Sequence, residues 1–361
     1  MSASALDAVL DGYAALPLTR FGRLIAEGTL LEAIGRRLRL GDDLDTTPSV
    51  AARALEAPVF VASPFRTGTT LTHRLLALHP RLRALAPWET AYAPPPLAGP
   101  ARRDDDRRAR VERSIAAMRA RSPDVFRLHP VEVDAPEECF PLLESSLLSP
   151  SFAFHAAPRG YEHFVARAPE AAWAEAYRVY ADELRCIDVA SERRGDPPRR
   201  FVLKGATHLD GLAALLAELP GARVIQLHRA PLDCVTSLAR LYAAHHRMYV
   251  ADVDTRNIGR LALSTTRAAL ARACRARRAA EPSRFLDVAF GELARDPVAT
   301  AARMLAFAEV PAEPRAIEAM RAYVASHPAP HARPDDAPAD AFGLDRDEVE
   351  AAFADYDAFG G

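Results

Sequence analysis

Lysine is nearly absent from this chain of 361 residues, since Lys204 is the single lysine among 46 basic side chains and the others are arginine. Asparagine and glutamine are equally scarce, with one copy each, Asn257 and Gln226. A bias toward alanine, arginine, proline, glycine, aspartate and leucine accounts for these low counts. It does not account for the position of the one remaining lysine.

An excess of charge is also missing, because 46 basic residues oppose 48 acidic ones and give a net charge of −2. With a pI near 6.6, this balance argues against a general nucleic-acid-binding protein, and we expect no nucleic-acid partner. It leaves room for a local basic site that binds one small anion.

Cysteine occurs four times, and the four residues are far apart and form no C-x-x-C pair. This spacing excludes a disulfide framework and argues against a zinc site, so we expect no bound metal. We predict that each cysteine is a small buried apolar residue. They are Cys139, Cys186, Cys234 and Cys274.

Long hydrophobic runs are missing, and none approaches the ~20 residues needed to span a bilayer. The first residues carry Asp7 and Asp11 and lack a basic start followed by an apolar run, which is not typical of a secretory signal. We therefore expect a cytoplasmic protein without a membrane span. The sequence leaves the oligomeric state open, a homo-oligomer included.

Short apolar runs alternate with helical patterns along most of the chain. Each run ends in a polar or tight turn before a helix, which predicts an α/β fold with a parallel sheet covered by helices on both faces, in three layers. The predicted strands cover residues 58–62, 201–203, 223–227 and 285–288. The predicted helices that follow them cover residues 71–78, 209–219, 231–242 and 297–308.

Residues 1–50 show apolar side chains at helical spacing and predict extra N-terminal helices before this pattern. We expect an N-terminal helical segment over residues 1–50 and one α/β domain over residues 51–361. Proline-rich and charged stretches near residues 92–113 and 326–340 predict lid-like surface insertions in that domain. The last segment, 342–359, has a helical pattern.

The first motif is S-P-F-R-T-G-T-T at residues 63–70, between the first strand and its helix. A loop that enters a helix N-terminus offers free backbone N–H groups and a positive dipole end to a phosphate. Gly68 allows a close approach, and Thr69 and Thr70 add hydroxyl donors. It is not a Walker A loop, since Ser63 replaces its first glycine and Thr69 its lysine.

The second motif is H-R-A-P at residues 228–231, with Ser237 eight residues after Arg229. An arginine at a strand end and a serine on the adjoining helix can converge on one phosphate. Either residue alone is also compatible with an ordinary surface contact.

Together the two motifs resemble those of the sulfotransferase family, whose first loop is usually P-R-S-G-T-T. Three further segments are similar to the family: F-V-L-K-G-A-T-H-L at 201–209, F-G-E-L-A-R-D-P at 290–297 and A-F-G-L-D-R-D-E-V at 341–349. The resemblance covers roughly residues 57–357 and implies the P-loop-like sulfotransferase fold.

The resemblance also implies a co-substrate, 3′-phosphoadenosine-5′-phosphosulfate (PAPS), and transfer of its sulfuryl group to a hydroxyl or amine. Arg229 and Ser237 correspond to the family's 3′-phosphate ligands. The residues that correspond to its 5′-phosphosulfate loop are Arg66, Thr67, Gly68, Thr69 and Thr70.

Some positions depart from the family pattern. Phe65-Arg66-Thr67 replaces Pro-Arg-Ser, Gly205-Ala206 replaces Ser-Pro, and Ala230 replaces an acid. The loop 326–340 has few basic residues where the family often clamps the 3′-phosphate. An ATP-dependent phosphotransferase and a non-catalytic nucleotide-binding relative therefore stay open as alternatives.

For the catalytic base we predict Glu89, since its Glu-Thr pair matches the catalytic segment of the family's tyrosylprotein branch with a small offset. Arg66 is the expected cation on the transferring group, and Lys204, at a strand end, the expected contact to phosphate or to the bridging oxygen. Rival candidates for the base are Glu137, Glu138, His129 and His208. Because Pro136 followed by two acids is also an ordinary helix start, the choice stays open.

Aromatic residues between the motifs suggest an apolar pocket wall, so we expect a small, apolar acceptor such as a phenol, a steroid-like molecule or a lipid hydroxyl. They are Phe126, Phe140, Phe152, Phe154, Tyr161 and Phe164, beside the prolines at 94–96.

Overall fold

A computed structural model describes residues 3–93, 96–97, 105–154, 160–327 and 337–359. Within these residues the chain forms a five-stranded sheet in which every neighbouring pair of strands is parallel. The strands are β1 (Val59–Val61), β2 (Leu82–Arg83), β3 (Arg200–Lys204), β4 (Arg223–His228) and β5 (Phe285–Ala289).

Helices fill most of the remaining described chain. The first eight are α1 (Ala3–Ala14), α2 (Arg20–Thr46), α3 (Thr69–Ala77), α4 (Pro87–Thr90), α5 (Arg107–Arg121), α6 (Pro123–Leu128), α7 (Pro141–Glu144) and α8 (Tyr161–Arg167). The others are α9 (Glu170–Arg193), α10 (Leu212–Glu218), α11 (Pro231–His246), α12 (Thr255–Arg278), α13 (Phe290–Arg295), α14 (Pro297–Phe307), α15 (Pro314–Ser326) and α16 (Arg346–Ala352).

The strand order is β2-β3-β1-β4-β5, so β1 lies between β3 and β4. Val61, the last residue of β1, pairs with Lys204 on one side and with Ile225 on the other. The two chain segments that carry the sequence motifs therefore leave the sheet from adjacent strands at its carboxyl edge, which is where ligands bind in open α/β sheets.

Helices cover both faces of the sheet, as the apolar strands predict. Alternate side chains of a strand point to opposite faces. Phe60 and Leu203 belong to one buried cluster, whereas Val61 and Val202 belong to another, and both clusters include helix residues. The predicted three-layer α/β arrangement is therefore present.

The two N-terminal helices share the main core. Val9 of α1 and Leu30 of α2 lie in the same buried cluster as Leu203. Arg36 of α2 is itself buried and pairs with Glu183 of α9 at 3.1 Å. The predicted division at residue 50 stays a prediction, and these contacts fasten the segment before it to the sheet domain.

The predicted strands agree with the observed ones to within one or two residues at each end, and the structure adds the two-residue strand β2. The last segment is not one helix, since 3-10 turns at Ala339–Phe342 and Ala354–Phe359 flank α16. Of the two predicted insertions, residues 94–95, 98–104 and 328–336 lie outside the described residues. All four cysteines fall within the described ranges and are free and buried, as predicted. Among the described helices, none is both long enough and apolar enough to cross a membrane.

Candidate active site

The loop after β1 is held in place by its own buried polar side chains. The Ser63 hydroxyl oxygen accepts a hydrogen bond from the Leu227 N–H at 2.7 Å, which ties the loop to β4. The Thr67 hydroxyl donates to the Pro64 carbonyl at 2.9 Å and closes the turn. Since both side chains are fully buried, these bonds fix the backbone conformation rather than offer donors to a ligand.

Two residues of this loop adopt left-handed backbone conformations. Gly68, with φ 94°, is the N-cap of α3, and a Cβ there would lie 2.8 Å from a methyl carbon of Leu293. Arg66 has φ 68°, which costs a residue with a Cβ about 1–2 kcal/mol. Strain of this kind persists where surrounding contacts fix the residue, and it is common at ligand sites.

The N-terminus of α3 faces the carboxyl edge of the sheet. Its first N–H groups have no partner inside the helix. Gly68 is the N-cap, and no side chain of the described residues forms a capping hydrogen bond there. The aligned peptide dipoles make this end positive, so it attracts a phosphate or sulfate group. Thr69 and Thr70 open the helix, as the first motif requires.

The two sequence motifs meet through Arg66. Its Nε donates to the Ser237 hydroxyl oxygen of α11 at 3.0 Å, and its Nη1 donates to the Leu128 carbonyl at 3.0 Å. Arg229 in turn donates from Nη1 to the Arg66 carbonyl at 3.1 Å and lies 4.5 Å from the centre of the Phe290 ring. Its Nε also donates to Asp233 at 3.3 Å. The loop, Arg229 and Ser237 thus form one connected basic surface.

Lys204 ends β3 beneath this surface and is only 1% exposed. Its ammonium group donates to the Thr70 hydroxyl oxygen at 3.2 Å and lies 3.4 Å from Glu137 Oε1 and 3.2 Å from Glu138 Oε1. Burial lowers the pKa of Lys204, but the charges of Glu138 and Glu137 outweigh burial and raise it overall. The one lysine of the chain is therefore a charged link between the loop after β1 and two acids.

The two acids differ in how fully they are paired. Glu137 Oε1 lies 3.2 Å from His129 Nε2 and accepts the Glu138 N–H at 2.8 Å. Burial raises the pKa of Glu137, but His129 and Lys204 together lower it well below its usual range. Glu138 is 8% exposed, and its Oε2 has no hydrogen-bond partner among the described residues. Such an oxygen is costly to bury unless another group approaches it.

A network of uncharged side chains lies next to Lys204 and begins at Cys139, the residue after the two acids. The Cys139 N–H donates to the Lys204 carbonyl at 3.1 Å, and Cys139 Sγ lies 3.1 Å from His208 Nε2. Tyr177 contacts His208 Nδ1 at 2.9 Å, and Tyr180 donates to Cys139 Sγ at 3.2 Å. Burial lowers the pKa of His208 to about 3 and raises that of Cys139 to about 12, so both stay uncharged at neutral pH. His208, a rival candidate in the sequence, belongs to this support.

Glu89 lies in a different environment. It is 6% exposed, forms a close ion pair with Arg83 and lies 3.5 Å from Arg194 Nη2. Its Oε2 also accepts the Ala86 N–H at 3.0 Å at the start of α4. Contacts join Arg66 to Ser237 and to Arg229, and Lys204 to Thr70 of the same loop. Among the described residues, the side-chain partners of Glu89 are Arg83 and Arg194, so Glu89 belongs to neither set.

The aromatic residues that predicted an apolar acceptor pocket are mostly in the core. Phe152, Phe154 and Tyr161 are buried in the main cluster, and Phe164 packs against it. Pro94 and Pro95 fall outside the described residues. Within the described ranges, no group of three or more His, Cys, Asp or Glu side chains is placed to hold a metal ion.

Comparison with known proteins fits this geometry. A family model described as the sulfotransferase family matches residues 58–314, which is more than half of the chain. The chain belongs to the sulfotransferase family. The match begins just before β1 and ends as α15 begins, so it includes both motifs, Lys204 and the two acids.

Two solved structures are similar to this sulfotransferase over nearly its whole length. Sulfotransferase STF9 from Mycobacterium avium is 25% identical, with a TM-score of 0.82 over 99% of this chain and 92% of that one. Sulfotransferase STF1 from Mycobacterium tuberculosis is 26% identical, with a TM-score of 0.79 over 98% of this chain and 91% of that one. A comparison with curated proteins gave no match.

The sequence did not predict the Cys139–His208–Tyr177–Tyr180 network. The residues that are hydrogen-bonded to each other in it lie 31 to 69 positions apart, so these contacts form only in the fold. The single local signal in the sequence is that Cys139 directly follows Glu137 and Glu138, two of the rival candidates for the base.

Proposed function

We propose that this protein transfers the sulfuryl group of PAPS to a hydroxyl or amine of a small acceptor. The observation that carries the proposal is the joining of the two motifs, in which Arg66 contacts Ser237 and its carbonyl accepts from Arg229. The loop after β1 can bind an anion at the N-terminus of α3, and Arg229 follows the adjacent strand β4. Two such basic points suit a nucleotide that carries phosphates at both its 5′ and its 3′ position.

The residues present fit this co-substrate. The N-terminus of α3, Thr70 and Arg66 would hold the 5′-phosphosulfate, whereas Arg229 and Ser237 would hold the 3′-phosphate. When bound, the co-substrate supplies an activated sulfuryl group for in-line transfer. The task of the protein is then to position the acceptor and to stabilise charge, as in phosphoryl transfer.

For the base, the contacts favour Glu138 over the predicted Glu89. Glu138 Oε2 has no hydrogen-bond partner among the described residues, and its Oε1 lies beside the ammonium group that contacts Thr70. Glu137 is held ionised by His129 and Lys204, which makes it a weak base. Glu89 already accepts from Arg83 and from the Ala86 N–H. We therefore assign proton removal from the acceptor to Glu138, and the positioning of that carboxylate to Lys204.

Titration with 3′,5′-adenosine bisphosphate in the absence of magnesium tests the proposal. We expect tight binding, and we expect Arg229→Ala to weaken it by about 2 kcal/mol, because a charge-assisted hydrogen bond would be lost. Arg346→Ala removes an exposed arginine paired with Glu350 on α16 and is the matched control. A preference for magnesium-ATP, or equal affinities of the Arg229→Ala variant and the wild type, would contradict the proposal.

A further inference from the structure

Three exposed leucines form a row along α2, the longest helix of the described chain. They are Leu24, Leu31 and Leu38, and 67% to 69% of each residue is exposed. Since seven residues make about two helical turns, the row lies on one face and extends over about 21 Å. A single exposed leucine is ordinary, whereas an apolar row on one helix face indicates a contact surface.

The opposite face of α2 already packs on the protein. Ala26, Ala33 and Leu40 are buried there. Each of them follows a leucine of the row by two residues, which is about 200° around the helix axis. The core face of α2 is therefore complete without the row, and the row faces solvent.

The charges at the two ends of α2 oppose its dipole. Arg20 and Arg23 are exposed at its start, whereas Asp42 and Asp45 are exposed near its end. The first turn holds no acid and the last turn holds no base. A helix favours the reverse, because its N-terminal end is positive and its C-terminal end is negative. A second helix that runs in the opposite direction would bring acids to the first end and bases to the last.

We propose that this face of α2 is a homodimer interface, in which α2 packs antiparallel against α2 of a second copy of the chain. The inference does not depend on the transfer reaction proposed above. The two leucine rows supply the apolar contact, and the opposed ends bring arginine next to aspartate. A parallel pair would instead place arginine against arginine and aspartate against aspartate, so the charges select the antiparallel direction.

The register of this pair follows from the centre of the row. Leu31 is the middle leucine, so a two-fold axis beside it makes Leu31 face its own copy and Leu24 face Leu38 of the other copy. The same axis sets Arg20, eleven residues before Leu31, opposite Asp42, eleven residues after it. The leucines and the end charges therefore agree on one arrangement.

A lipid surface fits this face less well than a second copy does. Helices that lie on membranes carry lysine and arginine beside their apolar face. Asp42 and Asp45 would be repelled by anionic headgroups at one end of the row. A second copy matches the charges at both ends.

Cysteine cross-linking tests the arrangement directly. All four native cysteines are buried, so a cysteine placed in the row supplies the exposed thiol. We expect Leu31→Cys to form a disulfide-linked dimer under mild oxidation, because a disulfide needs Cα atoms within about 7 Å and Leu31 faces its own copy. Leu38→Cys is the matched control and should not link to itself, since the two copies of residue 38 would lie about 21 Å apart. A mixture of Leu24→Cys and Leu38→Cys should link.

Sedimentation equilibrium measures the dimer without cross-links. We expect the wild type to dimerise at about 10–100 µM. Leu31→Glu should weaken the dimer by about tenfold or more, because it places two carboxylates side by side at the axis. Arg346→Gln changes the net charge by the same amount on α16 and should leave the dimer unchanged.

Reversal of the end charges tests their complementarity. Arg20→Asp and Asp42→Arg should each weaken the dimer by about threefold or more, because like charges then face each other at both ends. The variant that carries both substitutions restores opposite charges and should recover wild-type dimerisation.

A wild-type protein that stays monomeric up to about 100 µM would overturn the inference. Self-linking of Leu38→Cys as fast as that of Leu31→Cys, or a dimer that Leu31→Glu leaves unchanged, would also overturn it, because the copies would then meet in another direction or through another surface. If the protein is monomeric and Leu31→Glu weakens its binding to phosphatidylserine vesicles, the row contacts lipid and the dimer assignment fails. If circular dichroism shows that Leu31→Glu does not fold, the cysteine variants decide the question.

Discussion

At the scale of single residues, the partners of a carboxylate decide whether it can act as a base. Glu138 has one oxygen beside Lys204 and one without a partner among the described residues, whereas Glu89 is held by Arg83, Arg194 and a backbone N–H. The first arrangement leaves one carboxylate oxygen unpaired, which is what the proposed base requires. The second engages both oxygens of Glu89, which fits the proposed structural role.

Replacing each acid by its amide separates these roles. We expect Glu138→Gln to lower kcat by about 10²-fold or more and to leave the affinity for 3′,5′-adenosine bisphosphate unchanged, because general-base catalysis contributes that much. Glu89→Gln should change kcat by less than about threefold and should lower the melting temperature, since a buried ion pair would be broken.

The pH dependence of the rate distinguishes a base from a residue that only supports the site. If Glu138 is the base, the acidic limb of the kcat profile disappears in Glu138→Gln and persists in Glu89→Gln. If the reverse is observed, Glu89 is the base, as its position in the sequence predicted. Loss of nucleotide affinity in Glu138→Gln would instead mean that the substitution disturbs Lys204.

At the scale of structural elements, the turn from β1 into α3 depends on the left-handed conformation of Gly68. Gly68→Ala would impose a strained φ of about 94° and bring a Cβ within 2.8 Å of Leu293, which is buried. We expect a loss of stability of about 1–3 kcal/mol and a loss of nucleotide affinity, because the N–H groups of the loop would move.

Gly35→Ala is the matched control for this substitution. Gly35 lies inside α2 with no atom within 4 Å of its would-be Cβ, so alanine should stabilise the helix by about 0.5–1 kcal/mol. Urea unfolding and titration with 3′,5′-adenosine bisphosphate measure both variants. A Gly68→Ala protein that binds the nucleotide like the Gly35→Ala protein would show that the loop tolerates the Cβ.

The sequence predicted these elements well where one run of residues carried the whole signal. The apolar run before Ser63 and the leucines after Thr70 define the strand, loop and helix without any distant contact. Strand β2, with two residues, is too short for a periodic pattern to reveal. The pairing of Glu89 with Arg194 joins residues 105 positions apart, so no local pattern could show that this acid is already engaged.

At the scale of the whole molecule, buried histidines link stability to pH. Burial, together with the charge of Lys204, lowers the pKa of His73 to about 3, and burial alone does the same for His208. In the unfolded chain both return to an ordinary value of 6.5. Between about pH 3 and pH 6.5 the two histidines bind protons in the unfolded chain and not in the folded one. The free energy of unfolding therefore falls as the pH falls through this range.

Each of these histidines should lower the free energy of unfolding by up to about 1.4 kcal/mol per pH unit below pH 6.5. Melting temperatures at pH 7.5 and 5.0 measure the effect in a range where Glu137 is ionised in the folded protein. We expect a clear decrease for the wild type, a smaller one for His208→Gln and for His73→Gln, and an unchanged decrease for the control His327→Gln, because His327 is exposed. If all four proteins lose the same number of degrees, the two buried rings are not the source of the acid sensitivity.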